Sequence, residues 1–358
     1  MNRSRSLAWA HREAPLPSPR ARWLRASGLL ALAAAVVLVS LMSGSANLGA
    51  GRALHALFGG ADEAARSIVL GLRLPRLAAG FAVGGLLALA GVLMQALFRN
   101  PLADPYVLGV SGGAAVGAVL ALAAGAAMLY VQGAAMCGAL GAILLVYALG
   151  RGGGAPRLLL AGVAVASACG ALVTLLLAGA DEVKLRGIVF WLAGDLSWAS
   201  DPGASVLAAL VALGCAVLLA RPLNVLAAGE LRARSVGLDV ERWRPIVYVA
   251  AAAITAIAVV SAGTVGFVGL ITPHCVRLIF RTSDHRIVAP ASGLLGGTLL
   301  AAADWFARTA VSPRQLPVGA ITALIGAPVF VGLLRAGARG ARTERSAALD
   351  EAEPPPLK

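Results

Sequence analysis

Long apolar stretches separated by short polar or glycine- and proline-containing breaks run through most of this chain. Each stretch is close to the roughly 20 residues that a helix needs to cross the hydrocarbon core of a bilayer. The stretches cover approximately residues 27–45, 77–98, 106–124, 127–149, 158–179, 203–220, 245–262, 265–280, 288–306 and 317–334. The pattern predicts an all-α polytopic membrane protein with about ten transmembrane helices. The seventh and eighth helices are the least clearly divided, because no charge marks a loop between them.

Composition supports the membrane class and excludes one alternative. Hydrophobic residues make up 59% of the chain and charged residues 13%, with a mean hydropathy of +0.83. A soluble domain cannot bury that much apolar surface. The net charge of +13 does not indicate nucleic-acid binding, because the basic residues lie at the ends of the apolar stretches rather than on one face with interleaved aromatic residues.

The distribution of Lys and Arg predicts the orientation of the chain in the membrane. With the amino terminus inside, cytoplasmic segments hold 22 of these residues and external segments hold 8, as the positive-inside rule requires. We therefore expect a multi-pass membrane protein with both termini cytoplasmic. Residues 27–337 form the predicted transmembrane domain, and residues 1–26 and 338–358 read as disordered tails. No cleaved signal peptide is expected, because the first apolar run follows a long Arg- and Pro-rich stretch.

A polar break interrupts the pattern after the second predicted helix. Arg99 and Asn100 are followed by Pro101 and Leu102, and a second proline comes three residues later. Proline removes a backbone donor and restricts the residue before it, so a helix cannot continue through this segment. A turn at Asn100, Pro101 and Leu102 is the expected structure.

Small residues follow this break at a helical spacing. Gly109, Gly113 and Gly117 recur every four residues, which places them on one face of the third helix. Such faces allow helix backbones to approach closely in membranes. We expect this face to pack against a neighbouring helix.

Candidate chemistry within the chain is sparse. The four cysteines and four histidines show no C-x-x-C or ligand-spaced pattern, so no metal or other cofactor bound by this chain and no catalytic residue is expected. No phosphate-binding G-x-x-x-x-G-K-[ST] loop is present. If the protein is a transporter driven by ATP, another subunit therefore has to hydrolyse the ATP. An ion-coupled secondary transporter is the alternative class, but it is disfavoured because charge is scarce within the spans; Asp304 is the nearest candidate.

The longest cytoplasmic loop, residues 221–244, has a pattern of its own. Glu230 and Arg234 are four residues apart, which supports a helix. Gly237 suits the end of that helix, and Asp239 can cap the next short one. Two short helices joined by a glycine would form a protruding knob. A solvated amphipathic loop on the lipid headgroups fits the pattern equally well.

Eight segments of the chain together resemble one family. They are Arg73–Arg76, Gly91–Gln95, Arg99–Pro105, Leu108–Ala114, Leu158–Gly162, Leu226–Leu238, Gly263–His274 and Leu316–Phe330. Their order and content are similar to those of permease subunits of ABC importers for iron–siderophores, haem and cobalamin. The resemblance spans roughly residues 27–337 and leaves out only the tails.

The resemblance implies an architecture and a set of partners. It implies a homodimeric type II importer permease, in which two copies of the chain pair and two cytoplasmic ATPase subunits use ATP and Mg²⁺. A periplasmic substrate-binding protein docks on the outer face. The cargo is a metal chelate, with a ferric siderophore as the first choice and haem or cobalamin as alternatives.

The same resemblance implies roles for particular residues. Arg73, Arg76 and Arg308 match arginines that bind carboxylates of the binding protein, which suits exposed guanidiniums. The loop matches the element that contacts the ATPase, with Glu230, Arg234, Gly237 and Leu238 as contact candidates. Asn100, Pro101 and Leu102 match the inner gate region.

A short apolar segment between the fifth and sixth helices is also expected to form a helix. Asp181 and Asp195 lie near its two ends, and Trp191 and Trp198 lie within or beside it. The resemblance places this helix at the outer mouth of the substrate pathway. For the two tryptophans, anchoring at the membrane interface is the alternative role.

Overall fold

The computed structural model describes residues 18–44, 48–57, 63–198, 202–332 and 335, and in these residues the regular structure is helical throughout. Fifteen α-helices are numbered in chain order. They are α1 Pro19–Met42, α2 Ala50–Leu57, α3 Glu63–Arg66, α4 Leu74–Phe98, α5 Val110–Ala123, α6 Met128–Gly150, α7 Gly154–Ala178, α8 Glu182–Leu192, α9 Gly203–Leu218, α10 Ala220–Ala227, α11 Glu230–Ser235, α12 Val240–Ala262, α13 Val268–Phe280, α14 His285–Thr309 and α15 Val318–Gly332.

Each of the ten predicted membrane segments contains a helix. In the part of the chain that the structure describes, six helices are long and apolar enough to cross a membrane, and a bent pair, α9 with α10, adds a seventh. Three shorter apolar helices, α5, α13 and α15, account for the remaining segments. The least clearly marked division is real, because α12 ends at Ala262 and α13 begins only at Val268. The chain is a multi-pass membrane protein.

Two helix boundaries differ from those predicted. α1 begins at Pro19, inside the segment read as a disordered tail, because Ser18 caps it: the Ala21 N–H donates to Ser18 Oγ over 3.3 Å. The second membrane helix begins fourteen residues before residue 77, at Glu63, because a π-helical stretch, Ser67–Arg73, joins α3 to α4. The rest of the predicted tails, residues 1–17 and 338–358, lies outside the described residues.

The centre of the bundle is α4. The membrane-spanning helix Glu63–Phe98 contains α4, and 89% of its most apolar 18-residue stretch is buried. α4 packs against α9, α12, α13 and α14. Glycine makes this possible, because a Cβ atom on Gly84 would overlap the Gly296 carbonyl of α14. A Cβ on Gly91 would likewise overlap the Gly269 carbonyl of α13. Backbone-to-backbone contact of this kind is the usual way in which membrane helices pack.

The predicted glycine face of α5 packs as expected. A Cβ on Gly113 or Gly117 would overlap the backbone carbonyls of Gly138 or Ala134 on α6. Gly109 has a positive φ of 75° where α5 begins, and it faces α7, with the Gly162 carbonyl 3.3 Å from an ideal Cβ position. The stripe therefore serves two neighbouring helices rather than one.

Candidate functional site

One end of the bundle holds a buried ionic cluster, called here the arginine cluster and made of Arg73, Arg76, Asp304 and Arg308. The Nε of Arg76 donates to both oxygens of Asp304, at 2.9 and 3.1 Å, and its Nη2 lies 2.8 Å from Oδ1. Arg308 donates to Oδ2 of the same carboxylate over 2.9 Å. The structure thus brings together arginines from two helices on one acidic side chain.

Burial distinguishes these arginines from the exposed residues that the sequence predicts. Arg73 is 4% exposed and Arg308 7%, and the side chain of Arg76 is 13% exposed. Arg73 donates to the Leu41 carbonyl at 2.7 Å. The expectation of exposed guanidiniums is therefore wrong for this chain, because the buried carboxylate of Asp304 draws two of them inward and a helix carbonyl holds the third.

Polar partners from three further segments surround the cluster, and sequence reasoning missed them. Arg76 donates to Gln315 Oε1 over 3.1 Å and lies 3.8 Å from Asp195. Arg308 donates to Ser40 Oγ over 3.1 Å. The spacing of Asp304 and Arg308, four residues apart on one helix, is the one signal in the sequence that could have indicated the pair.

The opposite end of the bundle carries the knob, defined as α10, α11 and the residues up to Asp239. The axis bends by 61° between α9 and α10. Gly229, with a φ of 113°, separates α10 from α11. Gly229 thus joins α10 to α11, a junction that was not predicted, while Gly237 lies between α11 and the next helix, as predicted. Asp239 does cap a helix, as predicted, but that helix is the long α12.

A network of charges covers the knob. Arg234 lies 2.9 Å from Glu230, as the spacing predicts, and 3.2 Å from Glu241. Arg244 lies 3.3 Å from Glu230. Gly237 follows α11 with a φ of 82°, as expected for the end of a helix. Ion pairs thus connect α11 of the knob with the first turns of α12.

The apolar side chains of the knob divide into two groups. Leu238, a predicted ATPase contact, is half-buried and packs against the core. Leu231 and Val236 are instead 89% and 64% exposed. These two residues, which sequence reasoning did not select, are the large hydrophobic side chains that lie exposed on the knob.

The polar break forms a turn, as predicted. The amide of Leu102 donates to Asn100 Oδ1 over 2.9 Å, and Arg99 ends α4 with a φ of 50°. The segment that follows re-enters the bundle, where the Tyr106 hydroxyl donates to the Val265 carbonyl over 3.0 Å. Burial raises the pKa of Asp104 above its usual value, and the hydrogen bond from the Tyr106 amide acts in the opposite direction.

Two other predicted features have clear outcomes. The helix expected between the fifth and sixth segments is α8, Glu182–Leu192. Trp191 is 2% exposed and packs in the core, so it is not an interface anchor. Among the described residues, no group of three or more His, Cys, Asp or Glu side chains could hold a metal ion.

Comparison with known proteins places these features in context. The chain matches the model of the FecCD transport family over residues 32–336. It is 46% identical over 283 residues to the cobalamin import system permease protein BtuC of Halobacterium salinarum, covering 77% of this chain and 75% of that protein. It is 39% identical over 325 residues to the vitamin B12 import system permease protein BtuC of Klebsiella pneumoniae, covering 89% and 95%.

Two solved structures are also similar to this chain. A metal-chelate type ABC transporter in an inward-facing conformation is similar with a TM-score of 0.76 and 30% identity, over 86% of this chain and 98% of that one. PsaBC from Streptococcus pneumoniae in complex with Fab shares the fold, with a TM-score of 0.54 and 17% identity, over 74% and 94%.

Proposed function

This chain belongs to the FecCD transport family and is a permease of an ABC importer, and we propose that its cargo is cobalamin or a related corrinoid. The observation that carries the proposal is identity of 46% and 39% to permeases named for cobalamin and vitamin B12 import. A ferric siderophore, the first choice from sequence, becomes the second candidate, with haem behind it. All three are large metal chelates.

The proposed assembly contains two copies of this chain, two ATPase subunits and a binding protein. The ATPase subunits would bind the knob, where exposed Leu231 and Val236 lie next to the charges of Glu230 and Arg234. ATP and Mg²⁺ would be used by those subunits, since this chain has no phosphate-binding loop. Closure of the ATPase pair would move the knobs and reorient the helices around the cargo, which is alternating access between two states.

The binding protein would dock at the arginine cluster. Arg76 and Arg308 contact the carboxylates of Asp304 and Asp195 there, and Arg73 adds a third guanidinium, so the site retains a positive charge that attracts acidic groups. Docking would then require carboxylates of the binding protein to compete with Asp304 for Arg76. The Lys and Arg distribution supports an inner-membrane orientation in which this end is external and both termini are cytoplasmic. The turn at Asn100, Pro101 and Leu102 would lie at the inner gate.

Reconstitution tests this proposal. The chain is incorporated into liposomes with the ATPase and binding protein of the same importer, and uptake is measured separately for cobalamin, a ferric siderophore and haem. We expect ATP-dependent uptake of cobalamin that vanadate inhibits. Uptake of the siderophore or haem alone would overturn the cargo assignment. Uptake without ATP that a protonophore abolishes would favour the ion-coupled class instead.

A further inference from the structure

One side chain of the knob is fastened to the start of α14. The Asn224 amide nitrogen donates to Asp284 Oδ1 over 2.8 Å. Its amide oxygen accepts from the His285 backbone N–H over 2.9 Å and lies 2.6 Å from His285 Nδ1. Asn224 thus uses both ends of its amide on two consecutive residues of another element, 60 and 61 positions away in the chain.

The apolar contacts of α10 fix its position relative to α14 less strictly than these hydrogen bonds do. Leu223 and Leu226 on this helix are buried in the core, and apolar contacts are non-directional, so they allow sliding. The amide of Asn224 requires a particular position and angle to keep its hydrogen bonds. It is therefore the contact most able to transmit a displacement of α10 to α14.

Asp284 is itself held in place at the start of α14. The same oxygen that accepts from Asn224 accepts from the Arg286 amide over 3.0 Å and caps α14. Burial raises the pKa of Asp284, but the hydrogen bonds from Arg286 and Asn224 and the charge of Arg286 together outweigh burial, so the carboxyl has a pKa below its usual value and is ionised at neutral pH. A charged acceptor makes these hydrogen bonds stronger than those between neutral groups.

The far end of α14 carries the arginine cluster. Asp284 caps the start of α14, and Asp304 lies twenty residues further along this helix. That separation corresponds to roughly 30 Å at 1.5 Å per residue. Between the two ends, Gly296 lies against Gly84 of α4, backbone to backbone. Pro290 lies inside α14 between Asp284 and this contact and removes one backbone hydrogen bond, so a displacement reaches the far end of α14 through close packing against α4.

We propose that Asn224 and Asp284 form a joint through which movement of the knob reaches α14, and with it the arginine cluster. The proposal rests on the proposed function, because it assumes that an ATPase moves the knob. Asn224 is in this view a positioning residue that acts through α14. It links the two ends of the molecule that the importer must coordinate.

Single substitutions at the joint should separate hydrolysis from transport. Asn224→Asp places a carboxylate against Asp284, so attraction becomes like-charge repulsion, and Asn224→Ala removes the contact. For both variants in the reconstituted complex, we expect cobalamin uptake per ATP hydrolysed to fall at least tenfold. The matched control is Thr298→Ala on α14, because the Thr298 hydroxyl donates within its own helix, to the Leu294 carbonyl over 2.7 Å. The control should leave the ratio within twofold of the unmodified value.

A reciprocal exchange provides the rescue. In the double variant Asn224→Asp with Asp284→Asn, the like-charge repulsion of the single variant is removed and the new amide nitrogen can donate to the new carboxylate. The N-cap bond of α14 then falls to the amide oxygen, for which Asn is as good as Asp, because one atom can no longer serve both bonds as Asp284 Oδ1 does. The carboxylate at position 224 can accept from the backbone N–H and from the Nδ1–H of His285. We expect the exchange to restore uptake per ATP to within threefold of the unmodified complex.

Each outcome bears on the proposal. A parallel fall of uptake and hydrolysis in the single variants, with an unchanged ratio, would overturn it, as would a double variant that recovers nothing. Failure of every variant to assemble with the ATPase would equally overturn it, because the pair would then be a folding contact. An unmodified complex that transports no cobalamin counts against the proposed function and not against the joint, so the two failures are distinguishable.

Discussion

Arg76 and Asp304 lie 228 positions apart in the chain, and the guanidinium of the first contacts both oxygens of the second, with Nη2 2.8 Å from Oδ1. Arg308 donates to the same carboxylate from one turn further along α14. A side chain that is 2% exposed therefore neutralises charges from two helices. The three predicted docking arginines are members of an internal cluster before any partner arrives.

Removing the central carboxylate should destabilise the fold. Asp304→Asn leaves Arg76 and Arg308 buried without their counter-charge, and breaking a buried pair from one side costs about 3–5 kcal/mol. We expect a clearly lower Tm for the detergent-purified chain. Asp181→Asn is the control, because Asp181 pairs with Lys184 at a carboxylate that is 75% exposed, where a pair contributes about 0–1 kcal/mol. Equal Tm values for the two variants would contradict this account of the cluster.

Arg76 should matter for the binding protein more than other basic residues at its end of the chain. Arg76→Gln removes a guanidinium that attracts acidic groups, so we expect stimulation of ATP hydrolysis by the binding protein to fall at least tenfold. Arg66→Gln, at an exposed position of α3, is the control and should keep the stimulation. The measurement is hydrolysis in proteoliposomes with and without the binding protein. Full stimulation with Arg76→Gln would show that the arginine has a structural role alone.

The exposed leucine of the knob should contribute to ATPase binding. Burying a leucine side chain in an interface is worth about 1.5–3 kcal/mol, and Leu231 is 89% exposed in the free chain. Leu231→Asp should therefore raise the Kd for the ATPase by about ten- to a hundredfold, measured by titration in detergent. Ser235→Ala is the matched control on the same helix, since that hydroxyl donates to the Arg232 carbonyl of its own helix. An unchanged Kd for Leu231→Asp would exclude this face of α11 from the interface.

The seam between α5 and α6 should distinguish glycines that look alike in the sequence. Gly113→Ala would force a methyl group into the Gly138 carbonyl, and overpacking costs about 1–3 kcal/mol. Gly133→Ala on α6 meets nothing within 4 Å, and alanine is the better helix former by about 1 kcal/mol. Thermal unfolding in detergent should show a lower Tm for the first variant and an unchanged or higher Tm for the second. The reverse order would mean that the seam opens readily.

Local chemistry explains why much of the fold could be predicted from the sequence. The ten apolar stretches, the turn at Asn100, the pair of Glu230 with Arg234 and the cap at Asp239 all depend on residues within a few positions of one another. Hydrophobic length, proline chemistry and helical spacing act over that range. These features were accordingly predicted, and the structure contains each of them.

Burial and long-range pairing required the folded chain. The positions of Arg73, Arg76 and Arg308 along the sequence indicate interfacial arginines. Their burial depends on partners that other helices bring: the Leu41 carbonyl for Arg73, Asp304 for Arg76 and Ser40 for Arg308. The contact of Asn224 with Asp284 joins residues 60 positions apart, and no local pattern encodes it. Apolar helix faces allow many arrangements of similar energy, so which polar groups meet is decided when the helices pack.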